Sequence, residues 1–200
     1  MKSKIVGITG TIASGKSLVG KLLEEERVTV LDTDHIGHFV QAHDQEVRTA
    51  LRQRFGADVF NENGEVDRKK LGQIVFNDAT ARQDLNSIVH PAIIRECRRL
   101  IAEHADEPIV AVLVPLLFEA GLKKQYDEIW TVTASDTVVR ERLKARDGIS
   151  DEDAEKRLKA QFSQQEKVAG SDRVIDNSGT ADDTRRQVLD LLKMHHSNLP

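Results

Sequence analysis

Apolar positions follow two rhythms along this chain. Five short, β-branched, nearly continuous runs at residues 5–9, 28–31, 109–114, 128–133 and 173–175 read as strands. Runs with so little alternation suit strands covered on both faces, as in a parallel sheet between helix layers. Stretches with helical spacing separate them, beginning with Leu18, Val19, Leu22 and Leu23 after the first run. The predicted class is α/β, with a doubly wound, five-stranded parallel sheet. No internal repeat and no low-complexity linker interrupts residues 1–200, which read as a single domain.

Between the second and third runs lie about seventy residues of helical pattern, too many for an ordinary loop. Val47, Leu51 and Phe55 mark one helix that Gly56 can cap, and Asn63-Gly64 is a turn signal. Leu71, Ile74 and Val75 mark a second helix, and Leu85 with Ile88 a third. Pro91 then opens a fourth, with Ile93, Ile94, Cys97, Leu100 and Ile101 on one face. This stretch, 38–107, is expected to be a helical insert within the domain. After the fourth strand, residues 135–167 read as two helices around Arg146-Asp147-Gly148-Ile149. The second starts at a capping-box-like Ser150…Asp153, with Ala154, Leu158 and Phe162 on its apolar face. The tail from His195 to Pro200 is polar and expected to fray.

The densest chemistry lies between the first strand and its helix. Gly10-Thr11-Ile12-Ala13-Ser14-Gly15-Lys16-Ser17 matches the phosphate-loop pattern, two glycines separated by four residues and followed by Lys and Ser. Glycines let the backbone curl so that successive N–H groups point inward, and the helix start adds its own unpaired N–H groups and positive dipole end. Lys16 would reach the β- and γ-phosphates, and the Ser17 hydroxyl would complete a Mg²⁺ shell. A nucleoside triphosphate, with Mg²⁺, is therefore expected here.

Other constellations carry two readings each. Asp32 and Asp34 end the second strand, where ligands gather in open parallel sheets; they could hold Mg²⁺ or orient a hydroxyl, or cap the following helix. Arg140, Arg142 and Arg146 could neutralise a transferring phosphoryl group from a mobile lid, or form a solvated helix face. Arg68 and His90 are candidates for an acidic acceptor, though each alone reads as surface or punctuation. Pro115-Leu116-Leu117-Phe118-Glu119 closes the third strand, with Phe118 expected in the core and Glu119 facing the site. Trp130 reads as core, and His195-His196 lacks nearby partners for a metal site.

Composition narrows the picture further. A net charge of −4 argues against broad nucleic-acid binding, and no apolar run approaches a membrane span. The single cysteine, Cys97, excludes an internal disulfide and sits on an apolar stripe, so it reads as buried filler in a reducing compartment. The start of the chain does not resemble a signal peptide, and a cytoplasmic location is expected.

Taken in order, these pieces resemble the dephospho-CoA kinase family, a member of the nucleoside-monophosphate-kinase-like group of P-loop kinases. The resemblance runs nearly end to end. It rests on Thr9-Gly10…Gly15-Lys16-Ser17, Asp32-Thr33-Asp34, Phe55-Gly56, Asn63-Gly64…Asp67-Arg68, Leu71…Val75-Phe76 and His90-Pro91. Pro115-Leu116-Leu117-Phe118-Glu119, Arg142…Arg146-Asp147, Gln161 and Asp176-Asn177 complete it. It implies a P-loop kinase core with an acceptor-binding insert and a lid over 136–168. It also implies transfer of the ATP γ-phosphoryl to the ribose 3′-hydroxyl of dephospho-CoA. ATP would be held by Gly10, Thr11, Ile12, Ala13, Ser14, Gly15, Lys16, Ser17, Leu18 and Asn177, with Mg²⁺ on Ser17.

On the same resemblance Asp34, Lys16, Arg142 and Arg146 are catalytic, Asp34 receiving the hydroxyl proton and Arg146 being the better placed of the arginines for phosphate. Asp34, Arg68, His90, Leu117 and Glu119 would meet the acceptor. A monomer with small-molecule substrates, and neither nucleic acid nor membrane as partner, is implied. Thr11, Ala13 and Leu18 depart from the family's usual two glycines and threonine; Thr11 and Ala13 disfavour positive φ, which bears on nucleotide preference. A kinase for another small metabolite or nucleotide, or a nucleotide-dependent switch or ATPase, stays open as an alternative.

Overall fold

The computed structural model describes residues 3–197. In chain order the main elements are β1 (Lys4–Thr9), α1 (Lys16–Glu25), β2 (Thr29–Asp32), α2 (Thr33–His43), α3 (Gln45–Phe55), α4 (Arg68–Asn77) and α5 (Ala79–Glu103). Then follow β3 (Ile109–Leu113), β4 (Glu128–Thr133), α6 (Asp136–Asp147), α7 (Asp151–Lys159), α8 (Gln164–Ala169), β5 (Arg173–Asp176) and α9 (Ala181–Ser197). The strands form one five-stranded sheet in the order β2-β3-β1-β4-β5. Its β1–β3, β1–β4 and β4–β5 ladders are parallel, with Val6 opposite both Ala111 and Glu128. The chain thus winds outward from a central β1 to both sides, and the loop leaving β1 emerges at the switch point where such sheets bind ligands. All five expected strands are present, each shifted by no more than a residue at either end.

Two compact units make up the chain, one reaching to Leu31 and resuming at His104, the other spanning Asp32–Glu103. In the first, alternate residues of the strands serve opposite faces of the sheet. Val6, Ile8, Trp130, Val132 and Ile175 pack with Val19, Leu22 and Leu23 of α1 and Val188, Leu191 and Leu192 of α9. On the other face Leu117 and Tyr126 press so close to Gly7 that a Cβ there would lie 2.9 and 2.7 Å from them. Gly170, after α8, is overlaid as tightly by Phe118, which is half-buried rather than core.

The second unit is built around α5, against which α2, α3 and α4 all pack. Gly37 of α2 lets Ile93 of α5 approach to within 3.2 Å of its would-be Cβ. Gly56 ends α3 at φ +85°, and Asp67 caps α4 by accepting from Lys69 N and Lys70 N. Cys97 is buried, as expected.

Three expectations fail, each for a local reason. Pro91 does not divide two helices: α5 runs 25 residues straight through it. Proline removes one N–H and would strand the carbonyl of Ser87, but Pro91 and Ser87 are both exposed, so that carbonyl is open to solvent and its lost bond costs little. Residues 135–167 hold three helices, not two, because Ser163 and Glu166 form a full capping box that starts α8. α7 therefore ends at Lys159, and Phe162 lies beyond it, 44% exposed instead of on an apolar face. Finally, α9 continues through Ser197, so His195 is helical and stacks on Trp130 at 5.9 Å rather than fraying. The side chain of His196 and residues 198–200 lie outside the described residues.

Candidate functional site

The loop between β1 and α1 is shaped by backbone needs that its residues meet unevenly. Gly10 passes so near Val132 that a Cβ would sit 2.3 Å from its carbonyl oxygen. Gly15, the residue before α1, has φ +107°, and a Cβ there would collide with the Asn177 amide at 1.8 Å. Both motif glycines are thus required on steric grounds. Ala13 occupies the left-handed region at φ +62° despite its side chain, whereas Thr11 does not. Of the two side chains that stand where the family usually has glycine, only Ala13 bears backbone strain.

Side chains from distant elements hold this loop. Asn177, buried just past β5, donates to Ser14 O at 2.8 Å and accepts from the Thr184 hydroxyl at 2.8 Å. Ile12 N–H donates to Gln161 Oε1 at 3.0 Å. Lys16 Nζ donates to Gly10 O and Thr11 O, at 2.8 and 3.0 Å, so the ammonium lies over the loop. Ser17 is exposed on the first turn of α1, and Leu18 packs against the core below the loop. Asn177, named above among the residues that would hold ATP, spends its amide on the loop's backbone.

Two buried polar atoms at this loop have no hydrogen-bond partner: Ser14 Oγ and Arg142 Nη1. Arg142 projects from α6, and its Nη1 lies 3.7 Å from the position a Gly15 Cβ would take. Buried donors are nearly always paired, so two orphans at one glycine loop, Ser14 Oγ beside Gly10 and Arg142 Nη1 beside Gly15, are what an anion-binding loop would leave open. Arg146 is differently placed. Its guanidinium forms a two-pronged pair with Asp147, at 2.7 and 3.0 Å, and Asp147 also receives Arg157. Hydrogen bonding to Arg146, and then its charge, holds the Asp147 carboxyl below its usual range. Arg140 is paired with Glu155. Of the three lid-candidate arginines, Arg142 is therefore the one brought to the loop with a donor unused.

Beside the loop lies a cavity of about 300 Å³, lined by Thr11 together with Val139, Arg140, Glu155, Leu158 and Gln161. Leu117 and Glu119, expected toward an acceptor, are engaged within their own unit. Leu117 is fully buried. Glu119 accepts from Lys167 Nζ at 2.7 and 2.9 Å and from Phe162 N–H at 2.9 Å. Lys167 itself is fully buried and also donates to Pro115 O at 3.2 Å. The sequence gives no sign of this pair, since a lysine in a charged segment looks like surface.

In the helical unit, Asp32 accepts from Asp34 N–H at 2.8 Å and so caps α2, the second of its two readings. Asp34 stands in the first turn of the same helix. Four residues on, His38 accepts from Arg68 at the start of α4. Burial, then the Arg68 charge, pushes the His38 imidazole below its usual range, while Asp34 pulls it upward. Asp34, His38 and Arg68 are thus one neighbourhood; His38 was not among the residues expected from sequence, although its i, i+4 spacing after Asp34 on a helix could have pointed to it. His90 is exposed on α5.

Among the described residues no cluster of three or more His, Cys, Asp or Glu side chains suits a metal ion. A Mg²⁺ ion in a phosphate loop does not need one: a single hydroxyl, waters and phosphate oxygens suffice, and the exposed Ser17 hydroxyl fits that donor set. No helix among the described residues is long and apolar enough to cross a membrane.

The family profile and the similar curated sequences point to one family. The sequence profile described as dephospho-CoA kinase matches residues 4–183. The dephospho-CoA kinase of Symbiobacterium thermophilum is 43% identical over 187 residues, covering 92% of this chain and 78% of its own length. Among solved structures, TT1252 from Thermus thermophilus superposes with a TM-score of 0.82 at 30% identity, over 97% of this chain and 98% of that one. A dephospho-CoA kinase from Campylobacter jejuni shares the fold with a TM-score of 0.72 at 24% identity, over 98% of each chain.

Proposed function

The chain belongs to the dephospho-CoA kinase family, and on that premise we propose that it transfers the γ-phosphoryl group of ATP to the ribose 3′-hydroxyl of dephospho-CoA, yielding CoA and ADP. The observation that carries the donor half is the pair of unpartnered buried atoms, Ser14 Oγ and Arg142 Nη1, at a loop with the phosphate-binding sequence. Phosphate oxygens would take both, and would draw Lys16 from the loop carbonyls it now holds. Mg²⁺ bound at Ser17 would supply further positive charge against the phosphates.

In phosphoryl transfer the transition state is loose, and charge spreads over the three oxygens in flight. Fixed positive groups, Lys16 and Arg142, therefore supply most of the stabilisation. Asp34 has a different task. A carboxylate is a weak base toward an alcohol, whose hydroxyl is far less acidic than a carboxylic acid. It serves to orient the acceptor hydroxyl and to take its proton late. Arg68, kept in place by His38, offers a cation to the acceptor's phosphates, and His90 a further polar contact. On this reading the protein works as a cytoplasmic monomer on two small molecules, a view the net charge of −4 favours over nucleic-acid binding.

The test is a panel of acceptors. ATP consumption is followed with dephospho-CoA, shikimate, gluconate and nucleoside monophosphates in turn, with Mg²⁺ present. Dephospho-CoA alone should be turned over, one CoA formed for each ADP. Turnover of another acceptor, or steady ATP hydrolysis that only a partner protein accelerates, would overturn the proposal.

A further inference from the structure

We propose that Gln161 is a positioning residue for the phosphate loop, its side-chain carbonyl holding the Ile12 N–H so that the loop keeps its nucleotide-binding shape before nucleotide arrives. The proposal rests on the reading that this loop takes ATP. Its starting point is the geometry of Ile12 and Ala13. Ser14 is fastened from one side by Asn177, and Lys16 bridges the carbonyls of Gly10 and Thr11. Between these two fastenings the chain passes through Ala13 in the left-handed region, at φ +62°, a conformation an alanine does not favour. The 3.0 Å bond from Ile12 N–H to Gln161 Oε1 fastens the loop at that point, from the opposite end of the sequence.

Gln161 can do this because its own surroundings are fixed. Its backbone N–H closes the end of α7 on Leu158 O at 3.2 Å. The next residue, Phe162, donates to Glu119 beyond β3. Three residues on, Gln164 Oε1 accepts from Ala134 N–H just past β4, at 2.8 Å. The capping box at Ser163 and the buried Lys167 then lock the segment to α8. Residues 161–167 therefore tie together the chain beyond β1, β3 and β4, and Gln161 is the member that reaches the phosphate loop. A loop held in its binding conformation loses less freedom when ligand binds, so its affinity is higher.

The plain alternative is a glutamine that satisfies one N–H without consequence for nucleotide. Two variants separate the readings. Gln161→Ala removes the acceptor, and Gln161→Glu keeps an oxygen at the same reach. In the ligand-free protein, amide exchange at Ile12 should quicken roughly tenfold in Gln161→Ala and stay near wild type in Gln161→Glu. Calorimetric titration with ATP and Mg²⁺, without acceptor, should show Gln161→Ala binding roughly three- to tenfold more weakly, the effect of one neutral hydrogen bond. Its unfolding temperature should stay within a few degrees of wild type. Wild-type affinity and exchange in Gln161→Ala, or equally fast Ile12 exchange in both variants, would overturn the proposal. A wild-type protein that bound no ATP would refute the function proposed above instead, and the Ile12 exchange comparison would then decide whether Gln161 holds the loop.

Discussion

Replacing Lys167 with methionine should be among the most damaging single changes in the sheet-bearing unit. The ammonium is fully buried and makes three bonds: 2.7 and 2.9 Å to the two oxygens of Glu119, and 3.2 Å to Pro115 O. Methionine fills similar volume, so little cavity forms, but it leaves the Glu119 carboxylate without its counter-ion. Breaking a buried pair by removing one partner costs about 3–5 kcal/mol. Glu119 keeps the Phe162 N–H and is 16% exposed, so water reaches it and the lower end, about 3 kcal/mol, is expected. For a chain of this size that corresponds to a fall of roughly 6–12 °C in Tm.

Urea unfolding read by the fluorescence of Trp130 suits the measurement, because this single tryptophan is fully buried in the same unit. The double variant Glu119→Gln, Lys167→Met keeps an acceptor for Phe162 N–H but removes the stranded charge, and should recover at least half of the loss. A loss under about 1 kcal/mol in Lys167→Met, or no recovery in the double variant, would refute the reasoning from desolvation.

Three further outcomes are expected. Ala13→Gly relieves a left-handed alanine, worth about 1–2 kcal/mol, against about 0.4–1 kcal/mol for the freer unfolded chain; a net gain approaching 1 kcal/mol should appear in urea unfolding, and a clear loss would mean the loop does not strain Ala13. Asp34→Asn should lower kcat with dephospho-CoA by about a hundredfold while leaving the KM for ATP within about twofold, and near-normal turnover would remove Asp34 from the chemistry. Burial raises the Cys97 thiol to about 11, so near pH 8 only about a thousandth of it is thiolate. Iodoacetamide should therefore modify the native protein far more slowly than the urea-unfolded one, with the native rate climbing as pH approaches the shifted value.

How much of this was legible beforehand depends on the range of the interaction involved. The five strands, the phosphate loop, the cap at Gly56 and the start of α7 at Ser150 are written in residues a few positions apart, where backbone sterics and short side-chain bonds decide the outcome. The errors arose where a local signal met a global circumstance. Pro91 is a helix breaker in isolation, yet on the exposed side of a long helix packed by three others it is tolerated. Phe162 fits an apolar stripe by spacing, yet the capping box that follows it ends that stripe early.

From its sequence alone this chain could be assigned its fold class, its phosphate loop and its family, because those follow from local pattern and from the order of short motifs. What only the tertiary structure decided is which side chains serve that loop. Gln161 and Asn177 reach it from 149 and 163 residues away, and Lys167 meets Glu119 across 48. Arg142, not Arg146, brings an unused donor to Gly15, because Asp147 has already taken Arg146. Partnerships of this kind depend on where whole elements come to rest, and burial then sets their strength by removing the competing water.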